Sequence, residues 1–223
     1  MTKTTSLRSY AKIVTAGVGM KHFPLSKLLS SGNRKLPTST AIFNMGSAHD
    51  CPSLKLGLCK AYNPDGKHVC YAFKSETSMF KKVEPYRNRQ KAFWLHVTAE
   101  EFASQFLLIN SIKIVKWKAL RINESGDFWG QSCITKMDRI ATILKPYGIT
   151  VYGYTSREDL DYSKVKNIIL SGSGFEKEGI CNVFTMVEDV KKDRPKGYGV
   201  CCGDCRKCNR CMIRGKKTVN KRH

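Results

Sequence analysis

Apolar residues along the middle of the chain recur at two periods. Over Thr98 to Asn110, Phe102, Phe106 and Ile109 fall three and four residues apart, the spacing of one helix face. Thr98 with Glu101 forms a capping box at its start. Ile134, Met137, Ala141 and Leu144 repeat the spacing in a second helix, ended by Pro146 and Gly148. Residues 77–95 also read as helical, with a break or kink expected at Pro85. Strands are expected at Thr38–Met45, Ile112–Ile122, Ile149–Tyr154, Lys166–Ser171 and Asn182–Glu188, where β-branched and aromatic residues concentrate. Ser156 with Asp159 is expected to open a further short helix. Strand alternating with helix implies βαβ units, so the expected class is α/β, with a mostly parallel sheet or a partial (β/α) barrel. Loops following the strands would then gather at one edge.

The remaining stretches set the organisation. Residues 1–29 show no strong period and read as an N-terminal arm. Residues 30–195 form the α/β core, and 196–223 a cysteine-rich segment with a basic tail. Within the core, Ser30–Thr40 is turn-rich. Gly46–Lys74 is irregular, carries Cys51, Cys59 and Cys70, and is too long for a structureless loop unless it folds around a metal.

Composition narrows the classes. With 41% apolar and 10% aromatic residues the chain can bury a core, which excludes wholesale disorder. No stretch approaches the ~18–20 apolar residues of a membrane span, and no membrane partner is expected. Lys12 interrupts the opening apolar residues, so no leader is read there. Lys and Arg total 39 against 18 Asp and Glu, a formal net charge of +21, which points to a polyanionic partner such as nucleic acid. The densest run is in the tail: Arg206, Lys207, Arg210, Arg214, Lys216, Lys217, Lys221 and Arg222. The stretch Pro85–Gln90, with Phe93 and Trp94, suits phosphate and base-stacking contacts, or else is a solvated face over an aromatic core stripe.

Cysteine spacing carries the strongest chemical signal. Of ten cysteines, five lie within the eleven residues Cys201–Cys211. Thiols this close cannot all pair as disulfides, which demand particular separations and directions. They read as metal ligands. Zinc modules separate two C-x2-C knuckles by a dozen or more residues, whereas Cys202, Cys205, Cys208 and Cys211 repeat every three with nothing between. That spacing is how ferredoxin-type segments wrap a [4Fe–4S] cluster. Cys202, Cys205 and Cys208 are the expected ligands, with the fourth from Cys211, Cys181 or the Cys51, Cys59 and Cys70 group. One cluster or two would result, with zinc and reactive thiols as the alternatives. Gly203-Asp204 is expected to form a tight turn between ligands. Cys133, in a helical period, reads as an inert buried thiol, and Cys201 as a spare.

Two loops carry weaker signals. Arg121–Phe128, RINESGDF, places a guanidinium, an amide, a hydroxyl and two carboxylates after a strand, as a ligand site or as a self-bonded turn. Ser171-Gly172-Ser173-Gly174 could cradle phosphate or simply turn. His22, His49, His68, His96 and His223 show no ligand spacing, although His49 and His68 flank the loop cysteines.

GNRKLPTSTAIFNM, Asp50-Cys51-Pro52, Cys59, Cys70-Tyr71-Ala72-Phe73-Lys74, Tyr86–Gln90, RINESGDF and the final cysteines occur in an order that resembles the bacteriophage gene product 88-like family. The resemblance covers most of residues 30–212. It implies a phage-encoded iron–sulfur protein of the bacterial host cytoplasm with a redox, electron-transfer or cluster-dependent binding role, and with it a redox partner protein. The family in turn is similar to radical S-adenosylmethionine enzymes: Cys70-Tyr71-Ala72 echoes the end of their cluster loop, and Ser125-Gly126-Asp127 their methionine-binding Gly-Gly-Glu. That likeness would make S-adenosylmethionine a second ligand and the protein an enzyme. The chain departs from the C-x3-C-x2-C spacing of that group, since seven residues separate Cys51 from Cys59 and ten separate Cys59 from Cys70.

Overall fold

The computed structural model describes residues 24–59, 70–79 and 82–221. Its strands are β1 (Ser30–Ser31), β2 (Thr40–Phe43), β3 (Ala119–Ile122), β4 (Thr150–Thr155), β5 (Ile169–Ser173), β6 (Asn182–Val187), β7 (Gly199–Val200) and β8 (Lys217–Lys221). They make one sheet in the order β1-β2-β3-β4-β5-β6-β8-β7. Only β1 runs antiparallel to its neighbour. The protein is therefore α/β with an eight-stranded, mostly parallel sheet. From β2 to β6 each strand lies beside its predecessor, so the chain advances across the sheet in one direction. Right-handed crossovers place the long connecting helices on one face.

Those helices are α3 (Val83–His96), α4 (Ala99–Ile112) and α5 (Gln131–Leu144), after two short turns of helix, α1 (Pro52–Lys55) and α2 (Tyr71–Lys74). The capping box at Thr98 and Glu101 is formed in both directions. Phe102 and Phe106 are fully buried, with Ile109 partly buried, and Ile134, Met137, Ala141 and Leu144 line the buried side of α5. They close on Ala41, Phe43, Leu120, Ile122, Val151 and Leu170 from alternate strand positions. Phe43 stands edge-on to Phe102 at 5.1 Å. Leu25 and Leu28 are also fully buried, so the core reaches back before residue 30.

Several elements differ from the sequence expectation. Pro85 sits in the first turn of α3, where a missing N–H costs nothing, and the helix is not broken there. Residues 75–79 form a separate π turn ahead of it. Ser156 and Asp159 open no helix, because the Asp159 carboxylate takes two bonds from Arg157, each at 2.8 Å, and holds a turn. Ile112 ends α4, and β3 begins only at Ala119. The region from residue 196 onward joins the sheet: β8 pairs along its whole length with β6, and Val219 is fully buried.

Candidate functional site

Alternate residues of the strands point away from the helices and build a second, inner face. Ala119 of β3, Tyr152 of β4 and Ile169 of β5 pack there with Cys181, Cys211 and Met212. The cysteine-rich segment thus folds back over the sheet. Beneath it Arg121 lies level with Tyr152 and is only 8% exposed. Its guanidinium stacks on Tyr154 at 4.4 Å and Tyr152 at 5.5 Å and donates to the Ile122 carbonyl at 3.0 Å. Among the described residues no carboxylate lies within ion-pair distance of it. Burial pulls its pKa down. Tyr154, Tyr152 and Tyr71, with Glu124, more than offset this, so the group stays charged. A buried cation without an anion is costly, and among the described residues the Ile122 carbonyl is the one acceptor its five donors meet.

The thiols close on that cation. The Tyr154 hydroxyl is 2.7 Å from Cys211 Sγ. Burial raises the Cys211 thiol pKa, while Tyr154 and Arg121 pull it back. Burial, with Cys211 and Cys201 nearby, pushes the Cys205 thiol up to about 11, opposed by Arg121. The segment is pinned from both ends: Cys201 N donates to the Val219 carbonyl at 2.8 Å, and Arg210 Nε donates to Thr218 Oγ1 at 3.0 Å. The Arg210 guanidinium packs against Gly199, where a Cβ would stand 2.4 Å from it and require Arg210 to shift. Gly203, at φ +73°, and Asp204, bonded to Arg206, form the turn expected between Cys202 and Cys205. Cys208 Sγ accepts from Arg210 N at 3.5 Å, and Cys202 is exposed. Cys181, just ahead of β6, accepts from Arg214 Nη1 at 2.6 Å.

A second group of cysteines follows β2. Cys51 and Cys70 precede α1 and α2, and burial, then the Asp127 carboxylate, pushes the Cys51 thiol up to about 12. Tyr71, next to Cys70, donates to the Glu124 carbonyl at 2.6 Å and lies near Arg121. The two cysteine groups therefore approach the same stretch, Arg121–Glu124. No disulfide joins any of the ten cysteines. Among the described residues no three Cys, His, Asp or Glu side chains converge at ligating distance. The donor set nonetheless suits a thiophilic centre: sulfur-rich, partly buried, and facing a fixed cation.

The polar loop after β3 is occupied internally. Asn123, at φ +54°, accepts from Met45 N, and Ser125 N donates to Asn44 Oδ1. Asp127 accepts from Ser53 Oγ at 2.6 Å, Ser156 N at 2.8 Å and Phe128 N at 2.8 Å; burial raises its pKa against these bonds. Gly126, at φ +69°, lies so close to the Gly46 carbonyl that a Cβ would stand 2.9 Å from it. RINESGDF is fastened mainly by neighbours rather than by itself: Asn123, Ser125 and Asp127 bond to Met45, Asn44, Glu76, Ser53 and Ser156, and of their bonds only that from the Phe128 N–H to Asp127 stays inside the loop, while Arg121 lies beside the cysteines. One residue that sequence reasoning missed completes the edge. The buried Glu76 takes the Ala48 N–H at 3.0 Å, the Ser125 hydroxyl at 3.0 Å and an ion pair from Arg87. Glu76 is the one acid between Lys74 and Lys82, and that isolation was the available signal.

Other expected sites resolve plainly. Arg87 and Gln90 turn inward and Phe93 and Trp94 join the core, so base stacking by that stretch is replaced by packing. Cys133 is buried and accepts the Trp94 indole N–H at 3.3 Å. Ser171–Ser173 belong to β5, with the turn at Gly174. His49 stacks on Phe73, with ring centroids 4.2 Å apart, and lies 4.0 Å from Glu76. His22, His68, His223 and Arg222 lie outside the described residues. No described helix is long and apolar enough to cross a membrane.

One family model, described as gene product 88, matches residues 24–212. No curated protein and no solved structure matches the chain.

Proposed function

The chain belongs to the gene product 88 family, a phage gene-product family, and from that premise we propose that it is a phage-encoded iron–sulfur protein with a redox or electron-transfer role. The reading is carried by one observation: the cysteine-rich segment lies over a buried guanidinium, Arg121, that has no carboxylate partner among the described residues. Thiolates holding a [4Fe–4S] cluster bring negative charge to the place where the fold has left a positive one. Cys202, Cys205 and Cys208 would hold it at the ferredoxin-like spacing. Cys211 is the favoured fourth ligand, because its sulfur already lies against Tyr154 in the field of Arg121.

A bound cluster supplies one-electron chemistry. The chain's own residues set its conditions. Arg121, held by two tyrosine rings, favours the more negative, reduced state. The Tyr154 hydroxyl lies within hydrogen-bond distance of the Cys211 sulfur and acts in the same direction when it donates. Met212 and the strand residues below it limit water.

The test is absorption and metal content of protein purified without oxygen. Wild type shows a broad band near ~400 nm. Cys205→Ser and Cys208→Ser lose it and Cys133→Ser keeps it. A colourless, zinc-loaded wild type contradicts the reading, as does Cys205→Ser with undiminished iron.

A further inference from the structure

The edge of the sheet where the parallel strands begin carries a feature unrelated to the cysteines. Between α4 and β3 the chain presents Ile112 at 79% exposure, Ile114 at 100% and Val115 at 49%. These are the residues whose pattern suggested a strand; they lie in no sheet, and their side chains are not packed in the core. The loop is held shut by its own bonds. Asn110 accepts from Trp117 N at 2.6 Å and donates to the Trp117 carbonyl at 3.1 Å, and Lys116 Nζ donates to the Ser111 carbonyl at 2.6 Å. Lys113 Nζ lies 4.4 Å from the Trp117 ring, whose indole N–H is fixed by Ser31 at 3.0 Å. The aliphatic tip is thus displayed by a closed loop on a buried tryptophan.

Its surroundings are mainly basic, the nearby Asp138 carboxylate being taken up by the N–H groups of Lys166, Asn167 and Ile168. Lys113, Lys116 and Lys118 belong to the loop itself, and residues 110–118 contain no acid. The next loop on the same edge carries exposed Lys145 and Tyr147, again with no acid over residues 145–149. The loop entering β5 adds exposed Lys164 and Lys166.

We propose that this edge docks on an anionic lipid bilayer surface, with Ile112, Ile114 and Val115 sunk among the acyl chains and the lysines at the level of the headgroup phosphates. The argument is shape together with charge. A side chain exposed at 100% is a protruding point, which a headgroup region can receive but a flat protein surface cannot cover. Nucleic acid would use the lysines and leave the aliphatics in water. A second copy of the chain would bring the same lysines face to face. The contact is superficial and reversible, since the loop offers a few side chains and no described helix can cross a membrane.

The test is co-sedimentation of the full-length chain with vesicles of phosphatidylcholine, with and without one part in three of phosphatidylglycerol. Binding is expected only with the anionic lipid and is weakened by salt. Ile112→Ser with Ile114→Ser lowers it about tenfold, with unchanged circular dichroism, and Ile114→Ser alone lowers it by a smaller factor. Lys113→Ser, Lys116→Ser and Lys118→Ser together also lower it. Three outcomes overturn the proposal: no binding to anionic vesicles; binding that the two isoleucine substitutions leave unchanged, which assigns it to the net charge alone; or binding of duplex DNA, but not vesicles, that the lysine substitutions abolish.

Discussion

The two faces of the sheet are covered by different chemistry. On one, Phe43, Trp94, Phe102, Phe106 and Met137 interlock beneath α3, α4 and α5 in an apolar core. On the other, Ala119, Tyr152 and Ile169, with Arg121 among them, lie under a segment whose only described regular structure is one 3-10 turn and the strand ends. A parallel sheet needs both faces covered. The helix face obtains its order from burial of large side chains, whereas the cysteine face has little apolar area and a charge with no countercharge among the described residues. The first face therefore draws its order from its own side chains, and on the proposed reading the second is completed by what its thiolates bind.

The largest expected effect lies on the helix face. Phe102→Ala, at a fully buried site against Phe43, Phe93 and Trp94, costs about 3–5 kcal/mol in denaturant unfolding. The loss is the same whether or not metal is present, and a metal-dependent loss would break the comparison. Next is Glu76→Gln, which leaves Arg87 buried without its anion and costs about 3 kcal/mol. Glu76→Gln with Arg87→Met should recover part of that loss, measured as a double-mutant cycle.

Much of the helix face was legible because its signals are local. The period of Phe102 and Phe106, the Thr98 and Glu101 cap and the stop at Gly148 each depend on residues within a few positions. What escaped depends on distant partners. Ile112–Val115 have strand composition, but a strand needs neighbours, and the Asn110–Trp117 bonds close that stretch as a loop. Lys217–Lys221 read as part of a basic tail, since nothing nearby announces its pairing with Asn182–Val187. In the candidate site, the cysteines and the turn at Gly203 were visible from spacing. The placement of Arg121 beneath them was not, because it follows from the register of β3 with β4.

Smaller effects sharpen the cysteine face. Removing bound metal with a chelator under reducing conditions should raise amide exchange over Gly199–Lys221 and leave Gln131–Leu144 protected. Tyr154→Phe removes a contact to Cys211 worth about 1 kcal/mol and lowers the midpoint potential of the loaded protein. The smallest effect is electrostatic. The Arg157 hydrogen bonds, opposed by burial, hold the Asp159 carboxyl below its ordinary value. Its stabilisation is therefore present above the unfolded pKa and is lost as pH falls through the folded one. Asp159 is more than one-third exposed, so Asp159→Asn should cost only about 0.5 kcal/mol near neutrality and nothing in strong acid.

The central claim is that a cluster completes the face built on Arg121. Iron and acid-labile sulfide per chain, measured on protein purified without oxygen, test it most directly. About four of each are expected, falling together in Cys202→Ser, Cys205→Ser and Cys208→Ser. Zinc without sulfide, or iron that survives all three substitutions, would contradict it.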